Sequence, residues 1–311
     1  MNTQVNHVAG SRLDSQGITP AAAISATRLL LWSVQRELWE NRSIYLAPLA
    51  VAGVTLLGFL IALIHLPSPL QALMAEHHLP ESEVVRQPYE FASGLIMGTV
   101  LIVALFYCLD ALYGERRERS VLFWKSLPVS DLTTVLSKIC IPMVVLPVVC
   151  VAVTAATQWI MLLLNTAGLV ARGHSLATLW GNLPLIRMEL GLFYHLFAMH
   201  VLWHAPIYAY LLLVSAWARR ATFLWAFVPL LGVGILEKIV FNTSHFADML
   251  SYRFSGDKAV VAATAGDFLF NPMTHLTPGK FLGTPGLWIG LVVAAAFLAA
   301  AVRLRRYQGP I

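Results

Sequence analysis

Six long stretches of this chain contain no Asp, Glu, Lys or Arg: residues 43–75, 91–109, 139–171, 190–218, 221–236 and 281–302. A hydrocarbon core about 30 Å thick is crossed by roughly 20 apolar residues at about 1.5 Å per residue. Inside lipid, a helix can bond every backbone amide within its own segment. The runs therefore predict six transmembrane helices, over about 44–65, 92–112, 139–163, 190–216, 222–241 and 285–303. The third and fourth runs exceed a single span and take in loop or interfacial residues, because uncharged length fixes neither tilt nor end point. Composition agrees, with 58% hydrophobic residues, 12% charged ones and a mean hydropathy of +0.70, outside the range of ordinary soluble domains. The expected fold class is an all-α integral membrane protein.

Basic residues set the expected orientation, since short loops rich in Lys and Arg stay cytoplasmic. Arg12, Arg28, Arg36 and Arg42 precede the first span; Arg116, Arg117, Arg119, Lys125 and Lys138 lie between the second and third. Arg219 and Arg220 separate the fourth and fifth, and Arg303, Arg305 and Arg306 follow the sixth. These are 14 of the 21 basic residues, all on one side of a six-span topology with both termini inside. The opposite loop at 66–90 is acidic, with Glu76, Glu81, Glu83 and Glu90 against Arg86, as befits an outer face.

Residues 1–20 lack the apolar core of a signal peptide and read as a polar, disordered cytoplasmic tail that is not cleaved. Residues 21–311 read as one transmembrane domain. Cys108, Cys140 and Cys150 all fall at or within spans without CxxC spacing, so small buried apolar residues are expected in place of a disulfide framework or zinc site. The net charge of +5 follows from topology, and no aromatic-interleaved basic patch points to nucleic acid.

Ahead of the first span, a helix is predicted over 22–42. Leu30, Leu31, Val34 and Leu38 fall on one face; Ser33, Arg36, Glu37 and Glu40 fall on another, with Trp32 and Trp39 flanking the stripe. Such a helix suits the inner membrane surface, where tryptophans favour the headgroup zone. The alternative is an ordinary cytoplasmic helix packed on the same protein.

The loop after the second span reads YGERRERSVLFWKSLPVSDLTTVLSK, residues 113–138. Glu115, Arg116, Arg117, Glu118 and Arg119 are followed by apolar Phe123, Trp124 and Leu127 around Lys125. A short helix over Glu115 to Lys125 is expected, ending before Pro128, because a residue preceding proline is pushed out of helical geometry. Ser130 then suits the N-cap of the next helix, with Asp131 favoured in its first turn. A topology signal needs only cations. Aromatic groups displayed among charges describe a docking surface with apolar anchors and a charged rim.

This segment resembles the loop after the second helix of ABC-2 type permeases, the membrane subunits of type V ABC transporters. The matching features are the charged run Glu115 to Arg119, the apolar Leu122 to Trp124, the turn Leu127-Pro128-Val129-Ser130, and Lys138. Ser120-Val121 departs from the glycine and hydroxyl residue common there. Six spans and a preceding amphipathic helix extend the resemblance over about residues 22–308. It implies a coupling helix seated in a cleft of a separate P-loop ATPase subunit, which binds the ATP and Mg, with two permease copies or a related permease completing the transporter. It also implies location in a bacterial inner membrane and export as the direction of transport, and leaves the substrate open. The chain itself lacks GxxxxGK[ST], since TPGKF at 277–281 has neither the leading glycine nor the hydroxyl residue. It is not expected to be an enzyme or to hold a cofactor. The family places re-entrant elements between the last two spans, and 242–284 is the longest outer loop; a folded surface loop is the alternative.

Two further groups stand out. His195, His200 and His204 share the fourth span, and intramembrane ionisable groups are candidates for a substrate path. On an α-helix His200 and His204 share a face, while His195 lies about 140° away from His200. A membrane metal- or haem-binding protein using these histidines is therefore one rival, although no second HxxxH or HExxH occurs. A non-transport scaffold or sensor docking another partner through the loop is the other. Glu237 and Lys238, near the end of the fifth span, are either an interfacial charge pair or part of the path.

Overall fold

The structure, a computed structural model, describes residues 25–65, 81–120, 129–172, 176–255 and 282–307. Among these it is helical throughout, without strands. Six helices are long and apolar enough to cross a membrane: Ser43–Ile64, Val85–Arg117, Asp131–Ala171, Leu179–Trp203, Thr222–Phe241 and Pro285–Tyr307. Ala205–Trp217 is a shorter apolar helix.

Chain order is α1 Ala26–Glu40, α2 Ser43–His65, α3 Glu81–Asp110, the short α4 Tyr113–Arg117, α5 Asp131–Cys140, α6 Leu146–Ala171, α7 Ala177–Asn182 and α8 Leu185–His195. Then follow α9 Ala205–Trp217, α10 Thr222–Phe241, α11 His245–Ser255 and α12 Pro285–Tyr307. Two π-helical segments, π1 Ile141–Val145 and π2 Leu196–Trp203, join α5 to α6 and α8 to the approach of α9.

Prolines explain where the winding loosens. Pro142 sits inside π1, and Pro206 follows π2 at the start of α9. A proline ring has no N–H to donate and collides with the carbonyl four residues back, so a wider i→i+5 turn or a break relieves the clash. The uninterrupted fourth span expected over 190–216 is accordingly divided, with π2 in its middle and a break at His204. Hydropathy alone cannot register this, because Leu196–Trp203 is as apolar as its neighbours.

The main core joins α3, α5, α6, α9 and α12 through Ile96, Val100, Tyr107, Val135, Ile139, Leu146, Cys150, Leu212 and Ala301. A second core, built from Val85, Tyr89, Met161, Leu162 and Leu185, ties the start of α3 to the end of α6 and to α8. Ala205 and Ala209 of α9 face Ala294 of α12. Small residues at that spacing let two backbones approach closely, which is how helices pack where lipid offers no hydrophobic drive. By contrast, α10 buries only Ala226 and displays Leu224, Val228, Leu231, Ile235 and Ile239.

Around α4 the backbone departs from the expected continuous helix over Glu115 to Lys125. The helix closes at Arg117, and Arg119 takes a left-handed φ of 58°. That conformation costs a non-glycine residue about 1–2 kcal/mol and ends the helical run. The next helix begins as its caps dictate: the Ser130 hydroxyl accepts the Thr133 N–H, and Asp131 occupies the first turn.

Candidate functional site

Three acidic and three basic side chains, drawn from four separated segments, meet at one end of the helices. α1 supplies Arg36 and Glu37, α4 supplies Glu115, α5 supplies Asp131 and Lys138, and the last turns of α12 supply Arg305. Lys138 is 2% exposed and Glu37 1%. The Lys138 Nζ donates to Glu37 Oε1 at 2.9 Å and lies 3.0 Å from Glu115 Oε1. Arg36 Nη2 reaches the same two carboxylates at 2.7 and 3.4 Å. Arg305 bonds Glu115 through Nη1 and Asp131 Oδ1 through Nε, the latter at 3.1 Å. The Tyr107 hydroxyl closes the set by donating to Glu37 Oε2 at 2.8 Å.

Formal charge within these six groups cancels. That balance matters because a buried ion is expensive unless paired and hydrogen-bonded. Burial opposes ionisation of Glu37, but Lys138 and then Arg36 outweigh it, so its pKa falls below the ordinary 4.5. Glu115 is the hub: its two oxygens serve Lys138, Arg36 and Arg305, and thereby α5, α1 and α12 at once.

A second junction lies beside it. Ser215, fully buried on α9, accepts the Leu112 and Tyr113 N–H groups through Oγ at 3.0 and 2.9 Å. These are amides at the start of α4 that have no intrahelical acceptor. Arg116 Nη2 donates to the carbonyls of Ser215 and Ala218 at the C-terminal end of α9, where the helix dipole favours a cation.

The charged run of the loop is thus split. Glu115 and Arg116 turn inward and hold helices together, whereas Arg117, Glu118 and Arg119 face outward. Arg117 stands 5.6 Å over the Tyr113 ring and 3.4 Å from Glu118. Phe123, Trp124, Lys125, Leu127 and Pro128 lie outside the described residues. On α1, Val34 and Leu38 pack against the core while Leu31, Trp32 and Trp39 are exposed. Its polar face is not solvated as a whole, since Glu37 is among the most buried residues of the protein.

The histidines are arranged differently from an α-helical projection. Because π2 turns by less per residue than an α-helix, the offset between His195 and His200 narrows, and His195 comes within electrostatic reach of both His200 and His204. His200 and His204 have ring centroids 5.5 Å apart, and Tyr208 lies 6.0 Å from His200. His200 Nε2 and the Tyr208 hydroxyl are buried without a hydrogen-bond partner among the described residues. No group of three or more His, Cys, Asp or Glu among the described residues is placed to hold a metal ion.

Glu237 has a local task. It accepts the His245 and Phe246 N–H groups at 2.8 Å each, together with the Thr243 hydroxyl, and so caps α11. Lys238 beside it is exposed, and no pair between the two is formed. Near the far end of the bundle, Arg253 of α11 lies 4.7 Å over the Trp203 ring and donates to the Gly286 carbonyl, fastening α11 to π2 and α12. A Cβ at Gly290 would come within 2.5 Å of the Arg253 guanidinium, which would have to swing away from it.

No protein-family model, curated protein or solved structure matches this chain.

Proposed function

We propose that this chain is the permease subunit of an ATP-driven transporter of the ABC-2 type, working with a separate P-loop ATPase that binds ATP and Mg. The observation that carries this reading is the ion network, which makes α1, the loop after the second span, the start of the third span and the end of the last span one mechanical unit. A push delivered to that loop by a partner would be transmitted to three spans together. Rigid, paired charges transmit displacement where a solvated loop would absorb it.

In this reading the basic loops, including the network's end of the bundle, face the cytoplasm, with both termini inside. Exposed Leu31, Trp32 and Trp39 on α1 seat the helix in the headgroup zone. Arg117, Glu118 and Arg119 form the rim of the ATPase contact, with Phe123, Trp124, Lys125, Leu127 and Pro128 as its remaining part. Glu115 and Arg116 position that contact from inside. Two permease copies form the path, with the apolar circumference of α10 available to lipid or to the second copy. His195, His200 and His204 give the path a polar lining, and the direction is outward across a bacterial inner membrane.

The test is purification from the native membrane in mild detergent, identification of co-purifying proteins by mass spectrometry and assay of ATP hydrolysis. A stoichiometric P-loop ATPase is expected. Arg117→Glu with Arg119→Glu, or Trp124→Ala, should release it while leaving the permease folded. Retention of the ATPase in all of these variants, or its absence from wild type, would overturn the reading.

A further inference from the structure

Beside the ion network, the last turns of α12 and the start of α5 enclose a cavity of about 580 Å³. Its lining includes Arg303, Arg305 and Arg306 against the single carboxylate of Asp131. We propose that this cavity binds the headgroup of an anionic phospholipid, with the phosphodiester on the arginines and an acyl chain along α12. The assignment is independent of any transport function.

The site is built before a ligand arrives. Arg305 is 7% exposed and fixed by Asp131 and Glu115 through Nε and Nη1, so the Nη2 donors are engaged by neither carboxylate. A planar guanidinium held in this way suits phosphate oxygens, and little side-chain freedom is lost on binding. Arg303 and Arg306, exposed and three apart, stand on one side of the same helix. At the opposite wall α5 begins; Ser130 caps the Thr133 amide, leaving the Asp131 and Leu132 amides without intrahelical acceptors at the positive end of the helix dipole. The lining carries a formal charge of +2 from three arginines and one aspartate. The volume is that of a pocket for a small molecule, well above what one ion needs.

Surface continuity selects a lipid over a soluble phosphate. Ile289, Val292, Ala296 and Ala299 are exposed along α12 at helical spacing, and the same face ends at Arg303. An exposed apolar face thus runs along a membrane-length helix directly into the cationic cavity, whose own apolar wall is Val129, Leu132, Ala299 and Val302. Cations in the last turn of α12 also complement its dipole. That accounts for their charge, but not for the cavity or the apolar face.

The experiment uses the full chain in a neutral detergent, titrated with dioleoylphosphatidylglycerol and, separately, dioleoylphosphatidylcholine, with bound lipid counted by native mass spectrometry. One phosphatidylglycerol should be retained in preference to phosphatidylcholine. Arg303→Gln with Arg306→Gln should weaken retention roughly 30-fold, at about fivefold per arginine near an anionic group. Arg28→Gln with Arg42→Gln removes the same charge elsewhere and should change retention less than twofold. Ala299→Trp fills the cavity with all charges kept, and should abolish selective retention while the lipid-free melting temperature stays within about 2 °C.

Equal binding of the two lipids, or equal losses in the two double variants, would reduce the attraction to bulk charge and overturn the site. Displacement of the lipid by equimolar inorganic phosphate or glycerol 3-phosphate would assign the cavity to a soluble anion. If Ala299→Trp instead dissolves a dimer and leaves lipid retention intact, the occupant is a second copy, and the lipid assignment falls.

Discussion

Glu115→Gln keeps the size of the hub residue and removes its charge. In the native arrangement Glu115 balances Lys138 at 3.0 Å and Arg305 on its other oxygen. Orphaning a buried ion typically costs about 3–5 kcal/mol. Here neither cation is fully orphaned, because Lys138 keeps Glu37 at 2.9 Å and Arg305 keeps Asp131 at 3.1 Å. The loss therefore belongs at the lower end, about 3 kcal/mol, or roughly 6–12 °C at the 2–4 °C per kcal/mol usual for larger domains. The assay is thermal unfolding of the purified protein in one detergent, followed by intrinsic tryptophan fluorescence. Glu118→Gln is the control. That side chain is 68% exposed and 3.4 Å from Arg117, a surface pair worth about 0–1 kcal/mol. Adding Lys138→Met to Glu115→Gln restores charge balance and should recover most of the loss, since buried pairs are often replaceable by apolar groups at little cost. A Glu115→Gln protein that melts within 2 °C of the Glu118→Gln control would refute the view that this residue is a structural hub.

Ser215→Ala removes the acceptor of the buried Leu112 amide and the part-buried Tyr113 amide and should cost about 1–3 kcal/mol for the first and less for the second, with faster hydrogen exchange at both. Gly290→Ala pushes the Arg253 guanidinium off the Trp203 ring and the Gly286 carbonyl and should cost about 1 kcal/mol, as should Arg253→Ala, with no further loss in the double variant; additive losses would contradict the contact. The Glu37 carboxyl titrates below 4.5 when folded, so its contribution is complete above that pH and is lost as pH falls through the folded value. Acid unfolding of wild type should accordingly be steeper below pH 4.5 than that of Glu37→Gln, and equal slopes would remove Glu37 from the linkage.

The apolar spans were legible because hydropathy is a property of contiguous residues, and the Ser130 cap was legible because capping acts over three or four positions. The ion network was not. Its partners lie far apart in the chain, and Glu115 sits in a run of five charges that looks solvated from spacing alone. What separates Glu115 and Arg116 from Arg117 to Arg119 is the end of α4 and the left-handed Arg119, neither of which has a compositional marker. The histidines bring in a related point: a projection at 100° per residue assumes α geometry, which π2 does not have. Pro206 could have raised the alarm. Adjacency in the chain suggests Lys238 as the partner of Glu237, whereas its partners are the amides of a helix that begins eight residues later.

Arg305 follows Glu115 by 190 residues. At roughly 5–20 residues per second, a ribosome needs about 10–40 s to cover that distance. Arg36 and Glu37 already exist when Glu115 emerges, and Asp131 and Lys138 come soon after, so Arg36, Glu37, Glu115 and Lys138 can meet while the later spans are still being made. During that interval Asp131 and one oxygen of Glu115 await their cation. α12 is therefore the network's last latch, and an assembly stalled before Arg305 would leave the other five groups one positive charge short.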